Sequence, residues 1–502
     1  MDRIHDFVSH AAARKPDGLG VISQDDSQTT WKGLEAASED ARNRLQEIGV
    51  KPGDRVVLCF ENSIEVLAFM LGTSQLGAAS VVVNARLTGP ELERIIAHSD
   101  PSAIMFSIGS SPAASDHAKA HGALNISGAF GEVALCPREN SQPEPDFEDV
   151  AVLLYTSGTT GHPKAAMLTH DNLINAAKAS ADVRGMQEGD VTYLALPLSH
   201  IFGLVTILAI CFAQGTARLE TRFDVKRLYA ALQDDVTLLP AVPQMHAHLF
   251  HYARANDMPR YSRGLLRYVS SGGAPLDPAW KREAETFYGL PLQNGYGLTE
   301  CAAGVCATRN DLGDPDISVG RAMLGSELSL DMTAVGAHPE EGIGEILIGG
   351  PQVMKGYFRD AAQTADVLTS EGWFRSGDLG RFDEEGRLHI AGRTKELIIR
   401  SGFNVYPVEV EAILTEHPDV IVAGVVGRKM EGNEEVLAFV KTAPESGLTE
   451  AVLKDFVHGQ LAPYKRPERI IVAHDLPAAP TGKILKAKLI ETFAAELDRS
   501  SS

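Results

Sequence analysis

Apolar residues take helical spacing from the start of the chain, where Ile4, Phe7, Val8 and Ala11 mark one face of an amphipathic helix. The spacing recurs after Thr30, which caps a predicted helix carrying Leu34, Ala37, Ala41, Leu45 and Ile48, with Gly49 to close it. Val56-Val57-Leu58-Cys59-Phe60 is apolar without interruption, as a strand covered on both faces must be. A helix from about Ser63, the run Ser80-Val81-Val82-Val83, a helix opened by Pro90, and Ala103-Ile104-Met105-Phe106 continue the alternation. Such an order implies right-handed crossovers and a mainly parallel sheet. Residues 107–147 are richer in Ser, Pro and Gly and predict a surface excursion.

The texture changes further on. Residues 341–392 hold short strand candidates punctuated by Gly and Asp, such as Gly344-Glu-Ile-Leu-Ile-Gly and Gly386-Arg-Leu-His-Ile-Ala-Gly, which predict an antiparallel β unit. After Arg393 a small α/β segment begins. It reads as strand Glu396–Arg400, turn Ser401-Gly402-Phe403-Asn404, and a helix with Pro407 near its first position and Val410, Ile413 and Leu414 on one face. The expected class is α/β: a large N-terminal domain over residues 1–393, with mixed and parallel sheets, helices and a β unit, then a small α+β domain over 394–502.

Composition narrows the partners. A chain of 502 residues is too long for one core, and 44% apolar with 22% charged residues is ordinary for a globular protein. A net charge of −20 argues against duplex nucleic acid or an anionic membrane as partner, because both select basic surfaces. Any anionic ligand must then be met by particular Lys, Arg and backbone N–H groups. The five cysteines, Cys59, Cys136, Cys211, Cys301 and Cys306, form no C-x-x-C pair and no zinc spacing, so reduced thiols are expected. The N-terminus lacks a signal-peptide layout, and the most apolar run, Val205 to Ala213, is too short to span a bilayer. The expected location is the cytoplasm, and a homodimer is the default assembly.

The densest chemistry lies in Leu153-Leu154-Tyr155-Thr156-Ser157-Gly158-Thr159-Thr160-Gly161-His162-Pro163-Lys164. A strand-like run enters two glycines and four hydroxyls, then a lysine, before a helix begins near Thr169. Glycines let backbone N–H groups close on an anion, hydroxyls add neutral donors, and Lys164 supplies a point charge for phosphate. The spacing is not that of a P-loop.

This segment resembles the phosphate loop of the adenylate-forming superfamily: acyl-CoA synthetases, peptide-synthetase adenylation domains and luciferases. Relatives usually continue Pro-Lys-Gly, where this chain has Pro163-Lys164-Ala165. Six more segments resemble family motifs, in family order. Leu196-Pro197-Leu198-Ser199-His200-Ile201-Phe202-Gly203-Leu204 is similar to the carboxylate-pocket helix entry. Ser270-Ser271-Gly272-Gly273-Ala274-Pro275-Leu276 and Asn294-Gly295-Tyr296-Gly297-Leu298-Thr299-Glu300 are similar to the adenine and active-site loops. Trp373-Phe374-Arg375-Ser376-Gly377-Asp378 and Gly392-Arg393-Thr394-Lys395-Glu396 are similar to the ribose site and hinge, and Pro480-Thr481-Gly482-Lys483 to the catalytic-lysine loop.

The resemblance implies an acid–CoA ligase that uses ATP, Mg²⁺ and coenzyme A. Glycines at 272 and 273 leave a flat slot for adenine, on which Tyr296 stacks, and Asp378 takes the ribose hydroxyls. Arg393 holds ribose and phosphate, Thr299 donates to the α-phosphate, and Glu300 is the hard oxygen ligand for Mg²⁺. Lys483, on a small domain made mobile by the hinge at Lys395, lies between substrate carboxylate and α-phosphate. Arg400, Ser401, Gly402, Phe403, Lys465 and Arg466 are the expected coenzyme A contacts.

Positions matching the acid pocket are His200, Phe202, Val242, Gly272, Gly273, Asn294, Gly295, Gly297, Ala302 and Ala303. None is charged, so a second carboxylate would be buried unpaired there at a cost of several kcal/mol. The expected substrate is therefore an aromatic monocarboxylic acid of benzoate or cinnamate type, with a medium-chain fatty acid as runner-up. An amino-acid adenylation enzyme would offer an Asp near 196–204, where Ser199-His200 stands instead. A nucleotide sensor without activity would have lost Lys483 or Glu300, and both are present.

Overall fold

A computed structural model describes residues 1–139, 141–156, 164–258, 260–261, 264–273, 276–400, 403–430, 433–443, 446–478 and 484–498. Two large sheets carry most of the chain. The first runs Gly356–Tyr357, Lys164–Thr169, Val150–Thr156, Ala79–Asn84, Arg55–Phe60, Ala103–Phe106, Gly131–Pro137, Leu124–Gly128. Its four middle strands are parallel and both flanks are antiparallel. Arg55–Phe60 is buried along its whole length, which explains its unbroken apolar run.

The second sheet has a parallel middle ordered Leu292–Leu298, Tyr268–Gly272, Leu238–Ala241, Val191–Leu194, Thr216–Leu219, Leu19–Ile22. Gln28–Thr30 closes one edge antiparallel, and Ala303–Ala307 with Arg321–Ala322 closes the other. Helix Ile201–Ala213 is buried on nearly every side, as its uniformly apolar sequence requires, and one apolar cluster joins both sheets through it. No described helix is long and apolar enough to cross a membrane.

The predicted helix after Thr30 forms over Trp31–Glu47, with the Thr30 side chain accepting from Gly33 N–H and Leu34, Ala37, Ala41 and Leu45 buried. Residues 107–147 lie mostly at the surface, as predicted, but are not irregular. They contain helix Pro112–Ala120 and a hairpin whose Val133, Ala134 and Leu135 are buried on the sheet edge. Edge strands bury one face only, so their weaker apolar signal reads as loop.

The β unit is present as the antiparallel order Glu327–Asp331, Gly344–Gly349, Phe374–Phe382, Leu388–Arg393, beginning earlier than predicted. Past it stands the smaller C-terminal domain, with apolar clusters of its own around Val410, Leu414 and Val425 and around Phe439 and Leu489. The predicted strand Glu396–Arg400 splits into a 3-10 turn at Thr394–Glu396 and a short strand at Ile398–Arg400, paired with Phe403–Val405.

Candidate active site

Strand Leu292–Leu298 carries the active-site-loop motif from Asn294 onward, and the 3-10 turn Thr299–Cys301 follows it directly. Gly297 has no room for a side chain: a Cβ there would stand 1.8 Å from the carbonyl oxygen of Ala303. Past the turn, Ala302 and Ala303 hold φ of 46° and 84°, a left-handed conformation costing on the order of 1–2 kcal/mol per residue. That doubled reversal turns the chain back into strand Ala303–Ala307 and leaves Thr299 and Glu300 at its corner.

Tyr296 donates its hydroxyl to Asp378 Oδ2 at 2.6 Å, and Arg393 Nε reaches Asp378 Oδ1 at 2.8 Å. Asp378 itself is buried. Three residues predicted for the nucleotide therefore meet from distant parts of the chain. Burial, reinforced by the Asp378 charge, raises the Tyr296 phenol well above its ordinary range, so it stays a donor. Burial works against the Arg393 charge, but Asp378, Glu396 and Tyr296 outweigh it and raise the guanidinium. The carboxylate of Asp378 is thus held between two donors, in place to accept hydroxyls.

Glu300 makes a second link. Its Oε1 accepts from the Tyr357 hydroxyl at 2.8 Å, and Lys164 Nζ stands 5.5 Å from the centre of the Tyr357 ring. Lys164 pairs with Thr156 at the end of two antiparallel strands, so both ends of the phosphate-loop motif lie side by side. The helix expected near Thr169 forms as His170–Arg184 on the Thr169 cap, and strand Lys164–Thr169 fills the stretch before it. Ser157, Gly158, Thr159, Thr160 and Gly161 lie outside the described residues, as do Ala274, Pro275, Ser401, Gly402 and Lys483.

Nucleotide and metal fit what is present. Asn294 is buried, its Nδ2 donates to the Ser318 carbonyl at 3.0 Å, and its Oδ1 has no partner. An N–H donor such as an adenine amine suits that oxygen. Among the described residues no group of three His, Cys, Asp or Glu could hold a metal. Mg²⁺ bound to a nucleotide needs only one or two carboxylates beside phosphates and water, so Glu300 suffices.

Several positions expected for the acid pocket are neighbours in the fold. A Cβ at Gly272 would meet Phe202 Cε1 at 3.1 Å, and one at Gly273 would meet Val242 Cγ1 at 3.9 Å. Phe202 is half-buried and Ala302 and Ala303 are buried. His200 caps helix Ile201–Ala213, its Nδ1 accepting from Phe202 N–H at 3.3 Å. Sequence reading missed two residues here. Tyr357 joins Lys164 to Glu300 from an edge strand that no motif flagged. Arg184 ends helix His170–Arg184 with its guanidinium 5.9 Å from the centre of the Phe202 ring. The predicted pocket positions are uncharged, but this neighbour removes the premise on which a second carboxylate was excluded.

The expected coenzyme A cations are engaged within the C-terminal domain. Arg400 donates to the Arg466 carbonyl at 2.6 Å and pairs with Glu468 at 3.1 Å. Lys465 pairs with Glu409 at 2.6 Å, and Arg466 donates to the Leu461 and His458 carbonyls at 2.8 Å. Phe403 is exposed and stacks on Tyr464 at 4.7 Å. Lys395 lies in the 3-10 turn that opens the C-terminal domain. Burial raises the Cys301 and Cys306 thiols, so neither serves as a thiolate beside Glu300.

Comparison with known proteins agrees with this geometry. The family model described as AMP-binding enzyme matches residues 8–358, and the AMP-binding enzyme C-terminal domain matches 409–483. A 2-succinylbenzoate–CoA ligase of Geobacillus kaustophilus is 34% identical over 97% of this chain and 98% of its own. 4-coumarate–CoA ligase 2 of Nicotiana tabacum is 32% identical over 93% of this chain and 90% of its own. The o-succinylbenzoate coenzyme A synthetase of Bacillus subtilis, solved with ATP and magnesium, superposes with a TM-score of 0.81 at 27% identity, covering 96% of this chain and 98% of that one.

Proposed function

Because the chain belongs to the AMP-binding enzyme family, we propose that it is an ATP-dependent acid–CoA ligase acting on an aromatic acid of benzoate or cinnamate type. The observation that carries this reading is the Tyr296–Asp378–Arg393 chain together with the Glu300–Tyr357–Lys164 link, which ends where the phosphate-loop motif does. The first suits a ribose and its phosphate, the second a polyphosphate tail with its metal.

A carboxylate is a poor acyl donor because its leaving group would be oxide. In the first half-reaction a carboxylate oxygen attacks the α-phosphorus, the bond to the β-phosphate bridging oxygen breaks, and pyrophosphate leaves. The product is an acyl-adenylate. In the second, the coenzyme A sulfur attacks the acyl carbon, the thiol proton is lost, and AMP departs with the carboxylate oxygen. Both steps rest on positioning and electrostatics rather than on an enzyme nucleophile. Magnesium, held by Glu300 and the phosphates, supplies charge neutralisation at the departing pyrophosphate.

The chain's own groups do the rest. Asp378 and Arg393 fix the nucleoside, Thr299 and Lys164 face its phosphates, and Phe202 with Gly272 flanks the ring of the acid. Lys483 arrives from a domain over residues 394–502 that rotates about Lys395, and its charge screens two anions that must touch. Rotation then withdraws it for the thiol, which approaches near Phe403. The cytoplasm suits this chemistry, since ATP and coenzyme A are supplied there.

The relatives are named for 2-succinylbenzoate and 4-coumarate, both aromatic acids, which supports the aromatic-acid reading. Acid-dependent pyrophosphate release, measured over a panel of aryl and alkyl acids with ATP and coenzyme A, tests it. Turnover of aryl acids with thioester formation is expected. Release of ADP, or none for any acid, would count against it.

A further inference from the structure

Helix His170–Arg184 ends on a cation deep in the large domain. Arg184 is largely enclosed by protein yet keeps part of its surface open. Its Nη1 donates to the carbonyl oxygen of Ser180 at 3.0 Å and to the Ser180 hydroxyl. Its Nε is buried with no partner, and among the described residues no carboxylate pairs with it. Other deep arginines differ: Arg55 donates to the carbonyl oxygens of Ser99, Gly53, Gln142 and Asp100.

The surroundings link Arg184 to Gly272 through neighbouring residues. Tyr268, Ser270 and Gly272 share one face of strand Tyr268–Gly272 by alternation. Gly272 supports Phe202, Phe202 lies against Arg184, and Tyr268 is within electrostatic reach of the guanidinium. Between them the Ser270 hydroxyl is buried and has no partner at hydrogen-bond distance. Four residues of strand span roughly 13 Å, about the length of a cinnamate-type acid with a para substituent. Leaving a buried cation unpaired costs several kcal/mol, so a site that keeps one is suited to a ligand supplying the missing charge.

We propose that Arg184 receives a second, distal carboxylate of the substrate, making the preferred acid an aromatic dicarboxylate whose reactive end lies at Gly272. This rests on the ligase reading and narrows it. The guanidinium fork meets the distal carboxylate, the Ser270 hydroxyl donates beside it, and Phe202 flanks the ring between the two ends.

Three cinnamate-type acids differing only at the para position (carboxylate, carboxamide, methyl) give kcat/KM by pyrophosphate release from the full-length protein. The carboxylate is expected to exceed the methyl acid on the order of 100-fold, and Arg184→Met to bring that ratio within about threefold. The ratio is the readout, so a uniform loss of activity does not affect it. Where the methionine variant fails to fold, Arg184→Lys replaces the fork by a point charge and should lower the preference about tenfold. A wild-type protein that takes the methyl acid as well as the dicarboxylate overturns the proposal and leaves the ligase reading intact. A preference unchanged in both variants also overturns it. If no acid of any class releases pyrophosphate, both readings fall together.

Discussion

Asp378 is buried with both carboxylate oxygens engaged, one by the Tyr296 hydroxyl and one by Arg393 Nε. Those donors fix the orientation of the carboxylate, so little rearrangement is left for binding. Asp378→Asn replaces a charged acceptor by an amide and removes the counter-charge in direct contact with Arg393. The KM for ATP is expected to rise by on the order of 10–100-fold, with Tyr296→Phe within about threefold of wild type. Steady-state kinetics at varied ATP check this, and equal losses in the two variants would contradict it. At this scale much was legible in sequence. Asp378, Arg393 and Glu300 sit in short motifs whose residue types announce their chemistry. Tyr357 and Arg184 do not: one reads as an ordinary edge-strand aromatic, the other as a cation at a helix C-terminus, and only packing across distant segments gives either a role.

Strand Tyr268–Gly272 is the element on which pocket and nucleotide site both lean. Beneath it, fully buried His246 lies with Nδ1 2.8 Å from the Tyr288 hydroxyl and Nε2 3.2 Å from the Ser270 carbonyl oxygen. The neutral ring with its proton on Nε2 satisfies both neighbours. Burial lowers the His246 pKa to about 4 from an ordinary value near 6.5. A depressed histidine favours the fold while neutral, so its contribution is complete above pH 6.5 and is lost as pH falls towards 4. The full loss is about 3 kcal/mol. Thermal unfolding between about pH 7.5 and 4.5 should show Tm falling through that window, and His246→Gln should flatten the fall. A variant with the wild-type slope would contradict the assignment. Central strands such as Arg55–Phe60 were readable because burial on both faces leaves an unbroken apolar run. The hairpin Leu124–Gly128 with Gly131–Pro137 was not, since an edge strand can be polar on its open face.

At the scale of the molecule, the proposed nucleotide groups precede the segment matched by the C-terminal family domain, within which Lys483 falls. Their division predicts separable half-reactions. Lys483→Ala should lower acyl-adenylate formation on the order of 10²–10³-fold while supplied acyl-adenylate is still converted to thioester. Lys395→Pro, by stiffening the hinge, should spare adenylation and block thioester formation. Rapid-quench assays of each half-reaction separate these outcomes, and equal impairment of both halves in either variant would contradict the division. The order of motifs along the chain made the two-domain plan readable, whereas the arrangement of the lobes depends on contacts such as Tyr406 with the Gly336 carbonyl, which no local pattern encodes.

The path of one oxygen atom tests the chemistry most directly. With the substrate carboxylate labelled with oxygen-18 and the full reaction run to completion, mass spectrometry of the products locates the transferred oxygen. A labelled oxygen in AMP, with none in pyrophosphate, is the expected result, because the carboxylate oxygen that attacks the α-phosphorus leaves with it. Unlabelled AMP, or label found in pyrophosphate or inorganic phosphate, would contradict an acyl-adenylate route.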